Sequence, residues 1–373
     1  MNKSCLAILL FALTPELYAQ SRLISPFKVI EKRDALVQTG VTKTVRYTCP
    51  ALISPVVSFT AGSRYVAGDP THSIVNESAE AAYSEAADPV RDFQFAVVKA
   101  SDAYAMSTTK PQAHLQCALS HMYHWASADA LLGERSLTGY MLSSSSVIAV
   151  ASAYLKIQDA YTSKTATAEE LEKMKVIRSW LRKQALSIAD YFSNVGGNTS
   201  QGNLRYSAGL AVALSSIITQ KSDSFAWAMD TLRIGLSHIQ PEGYLPIELS
   251  RGSRALSYHF VATAPLVMLF EIGHLNGAYF SEKDLGKVDH LINFIYKSYK
   301  DPNFMLSIDP SLPTQMMNFS CSEFSFFEIY QYRASILGRS RSIIDRFISQ
   351  KRTECGDLYQ TTLGGNMTYF FGR

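Results

Sequence analysis

Residues 242–260 read EGYLPIELSRGSRALSYHF, and the spacing of the last ten predicts one amphipathic helical turn set after another. At ~100° per residue, Arg251, Arg254 and Tyr258 fall in one narrow stripe, while Leu249, Leu256 and Phe260 lie nearly opposite. A helix of that kind buries its apolar stripe against other helices and leaves a cationic stripe with a phenol in it. Working outward, helical periodicity continues in both directions. It predicts helices over 74–86, 89–104, 111–132, 137–160, 168–193, 204–219, 222–238, 250–264, 266–276, 282–300, 324–332 and 341–349, with a stop or kink at Pro265. About a dozen helices in series, short connections and almost no strand pattern imply an all-α toroid of helical hairpins. No fixed period recurs, which argues against a repeat array. From residue 21 to about 68 the chain carries Pro50, Pro55 and Val-Thr-Ser clusters, and it reads as an irregular arm wrapped around the outside.

The 373 residues are expected to form a signal peptide at 1–19 and one large domain at 20–373. In the leader, Lys3 supplies the positive start, residues 6–13 the apolar run, and Leu17-Tyr18-Ala19 the cleavage site. No later segment is expected to reach a membrane-spanning length. The implied location is periplasmic or secreted. Beyond the leader stand four cysteines, Cys49, Cys117, Cys321 and Cys355, an even number that suits two disulfides in an oxidising compartment. Three pairings are possible; pairing within halves, Cys49 with Cys117 and Cys321 with Cys355, is the one expected. No CxxC or HxxxH spacing is present, so no metal site is expected, and no cofactor. A net charge of +3 suits an acidic polymer without demanding one. Without a concentrated basic run, nucleic acid is a poor partner. A monomer is expected.

Spacing alone fits a plain exposed helix in which Arg254 and Tyr258 form an i, i+4 pair. A broader match assigns them more. The block EGYLPIELSRGSRALSYH is similar to the catalytic region of the periplasmic alginate lyases of polysaccharide lyase family 5, which carry a GFLP, NEL, R, RALxYH pattern. SRYVAGD at 63–69 followed by NESAEAAY at 76–83 resembles that family's entrance lid; CALSHMYHWASADALL at 117–132 resembles its C-x-L…W-x-x-ADALL helix; TLGGN at 362–366 resembles its closing turn. The resemblance implies an incomplete α/α toroid with a central cleft, and a lyase that cleaves a 1,4-linked, uronic-acid-containing polymer by β-elimination. It implies Tyr258 as base and acid, Arg251 and Asn203 as neutralisers of the substrate carboxylate, Arg254 and Tyr206 in the cleft, and Arg64 and Tyr65 as mobile lid contacts. Trp125 and Asp129 would serve packing and helix positioning. A tyrosine suits proton transfer when nearby arginines depress its pKa from ~10.

The chain departs from the family at its second catalytic segment. Where members read NNHSYW, residues 202–207 read GNLRYS, so Leu204 replaces a histidine and Ser207 a tryptophan. Arg205 adds a neighbouring cation that need not reach the same point. His259, a quarter turn from Tyr258, is a candidate contact or positioning residue. The changed pocket leaves room for an acetamido or acetyl group, as in an N-acetylgalactosaminuronate capsule of the Vi type, alongside polymannuronate or alginate. A catalytically inactive lyase fold that binds a polyuronate during export is the alternative. Glycoside hydrolysis needs two carboxylates across the cleft; Glu242 and Glu248 are nearby, though by the resemblance Glu248 sits in a position not credited with catalysis.

Overall fold

In the computed structural model, which describes residues 22–158 and 166–372, the helices arrange in two concentric layers. The signal-peptide reading of 1–19 falls outside the described residues. The helices are α1 (Val29–Gln38), α2 (Glu77–Ala105), α3 (Gln112–Ser127), α4 (Leu137–Gln158), α5 (Ala168–Asn194), α6 (Asn203–Thr219), α7 (Ser222–His238), α8 (Pro246–Leu249), α9 (Ala255–Leu275), α10 (Glu282–Lys300), α11 (Phe326–Ile336), α12 (Ser342–Cys355) and α13 (Met367–Phe371). Two residue-pair strands, β1 (Tyr359–Gln360) and β2 (Gly365–Asn366), pair antiparallel. Helices α2, α4, α6, α9 and α11 form the inner layer, each packed on the next, while α3, α5, α7, α10 and α12 back them from outside. This is the all-α toroid that the periodicity predicts.

Burial follows that layering. Helix α4 is buried along nearly its whole length, as are α6 and α9, whereas α10 and α12 keep a polar outer face. Because each inner helix is followed by an outer one running back, all inner helices start at the same end. Contacts mark both ends: Thr138 and Arg254 meet loops and Asn203 meets α8 at one, and Asp102 of α2 meets Lys156 of α4 at the other.

Three sequence expectations change. Residues 29–38 form helix α1 inside the supposedly irregular arm; only Val29 and Arg33 of it are buried, so its apolar signal is weak. Prolines 89 and 265 lie inside α2 and α9 rather than ending helices. Each removes one i→i−4 bond, and the carbonyls so released belong to Glu85 and Val261, both exposed, where water can satisfy them. Third, α4 and the stretch 252–275 are long and apolar enough to cross a membrane by length and composition, contrary to expectation, but 83% of each apolar window is buried inside the protein. They are core helices of the inner layer.

Both disulfides form as expected, Cys49 to Cys117 and Cys321 to Cys355. The first ties the N-terminal arm to α3, where Trp125, fully buried, stacks on Phe93 at 3.9 Å and donates to the Ile53 carbonyl. The C-terminal TLGGN turn closes the far end. There Lys156 bonds Asp102 and the Gly364 carbonyl, and the second Asp102 oxygen accepts from the Asn366 amide at 2.9 Å. Gly365, with φ of 121°, leaves no space for a Cβ against Asp102.

Candidate active site

Tyr258 sits in the first turn of α9, one turn after the chain has been brought round by α8 and a short 3-10 turn. Arg251 therefore precedes the helix instead of lying on it, a correction to the helical stripe. Its guanidinium nevertheless stacks 3.8 Å above the Tyr258 ring. Among the described residues Arg251 has no carboxylate ion pair, and its Nε is buried without a hydrogen-bond partner. Arg333 and Arg352, by contrast, are each tied to a glutamate. A cation left unpaired in this way is available to an anion from outside.

Asn203 opens α6 beside it. Its side-chain nitrogen donates to Glu248 Oε2 at 2.9 Å and its backbone N–H to Oε1 at 3.0 Å. Asn203 is 5% exposed and Glu248 only 1%. Burial raises the Glu248 carboxyl to about 7, against the pull of Asn203 and Arg251. Sequence reading set Glu248 aside; its proximity to Asn203 is a tertiary fact that no local spacing carries.

The segment 63–76 brings Tyr65 to the phenol. Tyr65 and Tyr258 share a short hydrogen bond between hydroxyls. Tyr65 is held by a bridge to Val75, with Val66 N–H to Ile74 O at 3.0 Å and Asn76 N–H to Arg64 O at 2.9 Å. Asp69 accepts from the Thr71 hydroxyl and from the backbone N–H groups of Ile74, Ser73 and Thr71, which keeps its carboxyl well below the usual range and makes the tip a preformed turn. Arg254 donates from Nε to the Ser73 carbonyl at 3.1 Å. Arg64 pairs with Glu80 at 3.3 Å and lies 4.9 Å from the Tyr83 ring.

Arg251, Tyr258, Asn203, Tyr65, Arg64 and Arg254 thus gather at the end where the inner helices start. Three other candidates do not join them. Arg205 turns away: it donates to Thr231 and to the Phe192 carbonyl and stacks on Trp227 at 3.9 Å. Tyr206 is buried, with its hydroxyl toward His238. His259 is fully buried, donating from Nδ1 to Ala255 O at 2.7 Å and accepting the Leu245 N–H on Nε2 at 3.0 Å. It anchors the loop before α8 and touches no cleft.

The expectation that arginines depress Tyr258 also needs correction. Burial pushes its hydroxyl above the ordinary tyrosine value, Arg251 pulls down, Tyr65 pushes up, and the net direction is up. Desolvation outweighs one stacked cation.

The sequence profile described as alginate lyase matches residues 60–305, which span every residue of this constellation. The chain belongs to the alginate lyase family. As a member of the alginate lyase family it is a polysaccharide lyase. Alginate lyase of Pseudomonas syringae pv. tomato is 28% identical over 271 residues, covering 72% of this chain and 70% of that one. That of Cobetia marina is 25% identical over 242 residues, 65% of this chain and 63% of the other. Among solved structures, a tyrosine-to-phenylalanine variant of alginate lyase A1-III complexed with tetrasaccharide superposes with a TM-score of 0.74, 19% identity and coverage of 95% and 98%. An alginate lyase from Bacteroides ovatus gives 0.58 at 14% identity, covering 95% and 94%. The shared fold is the toroid, and this member of the alginate lyase family is divergent within it.

His259 gives a stability prediction. Burial holds its folded pKa down to about 4, below the ~6.5 of an unfolded chain. The unfolded state therefore binds the extra proton, and the stability this neutral imidazole contributes is full above pH 6.5 and lost as pH falls toward 4. The urea midpoint of the wild type should drop across that window more steeply than that of His259→Gln; parallel slopes would refute the assignment. His274, also held down to about 4 by burial, titrates equally in both proteins.

Proposed function

We propose that this protein cleaves a 1,4-linked polyuronate by β-elimination in the periplasm or outside the cell, the two disulfides suiting an oxidising compartment. The observation that carries the reading is Arg251, which makes no carboxylate ion pair among the described residues and stacks on Tyr258, with Glu248 facing it and holding the Asn203 amide. Loss of the C5 proton places enolate charge on the uronate carboxylate, and donors fixed there in advance lower the barrier most. Arg251 supplies the charge and Asn203 a hydrogen bond. Tyr258 takes the C5 proton and, where hydrogen and leaving group share a ring face as in mannuronate, returns it to the departing O4. The Tyr65 hydroxyl, hydrogen-bonded to that of Tyr258, orients the phenol toward the cleft.

Alginate is the first substrate to test, because it gives the relatives their name. Leu204 and Ser207, three residues apart on the half-exposed face of α6, would form a roomier wall, part apolar and part hydroxyl, in place of the family's histidine and tryptophan. That wall favours a substituted sugar, and acetylated N-acetylgalactosaminuronate is the second. Incubation of the mature protein with alginate, polymannuronate, polyguluronate, polygalacturonate and a Vi-type polymer should produce the absorbance of an unsaturated uronate with one or more of them. New reducing ends without that absorbance would mean hydrolysis; binding with neither signal would mean an inert carrier.

A further inference from the structure

Glu248 is a nearly inaccessible carboxylate whose two oxygens both serve one residue. Oε1 accepts the backbone N–H of Asn203 and Oε2 its side-chain nitrogen. The fit is close: a side chain at Gly202 would bring its Cβ to 3.2 Å from Oε1 and 3.1 Å from Ile247 Cγ2. We propose that Glu248 is a positioning residue for the elimination, holding the Asn203 amide so that its second N–H stays free for the substrate carboxylate. This rests on the lyase reading above and names how its hydrogen-bond donor is aimed.

The chemistry of the two groups compels the orientation. An ionised carboxylate offers only lone pairs, so the NH2 end of the amide must face it, and the same nitrogen then carries one spare hydrogen. A flipped amide would set its oxygen against Oε2. Once Glu248 is protonated, its O–H can donate to that oxygen and the preference for one flip is lost. Arg251, from the turn before α9, and Tyr206, from α6, are the charged and titratable groups that face Glu248. The cation favours the ionised form; burial opposes it and brings the carboxyl to about 7, so the switch between orientations lies within the working pH range.

Glu248→Gln separates this role from mere packing, since it keeps the shape but presents one acceptor and one donor to two Asn203 donors. The arrangement that satisfies both turns the Asn203 amide over. With the polymer that the wild type cleaves best, kcat is expected to fall on the order of 10²-fold, the usual effect of losing one transition-state donor, while KM changes little. The kcat–pH profile of the wild type should show a limb near pH 7 that disappears in Glu248→Gln. Full kcat with the limb intact would overturn the proposal. Should that variant not fold, Asn203→Ala decides: its residual activity must lack the limb, because Asn203 transmits it, and a retained limb overturns the proposal. A wild type inert toward every polyuronate would instead remove the lyase reading, which makes the two failures distinct.

Discussion

Tyr258→Phe is expected to lower kcat by about three to four orders of magnitude, the range set by removing a group that transfers a proton twice in one turnover. The phenyl ring remains for Arg251 to stack on at 3.8 Å, so folding and polymer binding should persist while the unsaturated product does not form. Its melting temperature should stay near that of the wild type. The direction of the Tyr258 shift adds a second expectation. Because burial keeps the hydroxyl protonated beyond the ordinary tyrosine range, the phenolate base is a minority species near neutrality, and the wild-type rate should climb with rising pH. A Phe variant that retains full turnover, or a rate falling steadily from pH 7 to 9, would sink the assignment of Tyr258 as base.

Lys156→Met should bring the largest loss of stability, about 3–5 kcal/mol, in a protein whose total stability is on the order of 5–15 kcal/mol. Lys156 is 0% exposed and lies between the rings of Phe27 and Phe370, at 4.9 and 4.6 Å, as well as against Asp102. Burial opposes both charges; their contact, the Asn366 N–H donated to Asp102 and the Gly364 carbonyl that accepts from Lys156 offset only part of it, and the net directions stay up for Asp102 and down for Lys156. Removing the lysine strands a buried carboxylate, which must take up a proton and release its hold on the closing turn. Urea denaturation gives the test. A loss below about 1 kcal/mol would show that the pair contributes little. The double change Asp102→Asn with Lys156→Met should recover part of the loss, since no charge is then left unpaired.

Much of this was legible in the chain because helical periodicity is a local property. The bounds of α7 and α10 read directly from apolar spacing, α5 and α6 each differ by one residue, and the predicted end of α4 at 160 lies outside the described residues. Pro89 and Pro265 misled because the cost of an internal proline depends on whether the freed carbonyl meets water, which only the folded surface decides. The second apolar stretch was divided at Pro265 into helices over 250–264 and 266–276, and Pro265 proved to lie within one continuous helix.

The candidate site was half legible for a related reason. Tyr258 and Arg251 are neighbours in sequence, and Asn203 came from the likeness to a motif. Residues close to these were not separable by sequence: Arg205 stands two residues from Asn203 and His259 next to Tyr258, and both point into packing instead. Glu248 is the converse case. It looked like a spectator because its partner lies 45 residues away, and a buried carboxylate reveals its purpose only through what it accepts.

The common direction of the inner helices bears on how so weakly charged a protein could take hold of a polyanion. Helices α2, α4, α6, α9 and α11 turn their N-termini toward the same end, and each such terminus carries roughly half a positive charge from its aligned peptide dipoles. With a formal charge of only +3, the protein is not a general magnet for acidic polymers. The attraction of those termini falls at the end of the toroid that holds Tyr258 instead of being spread over the whole surface. A long chain would then be gripped where it is cut and left free to slide off elsewhere.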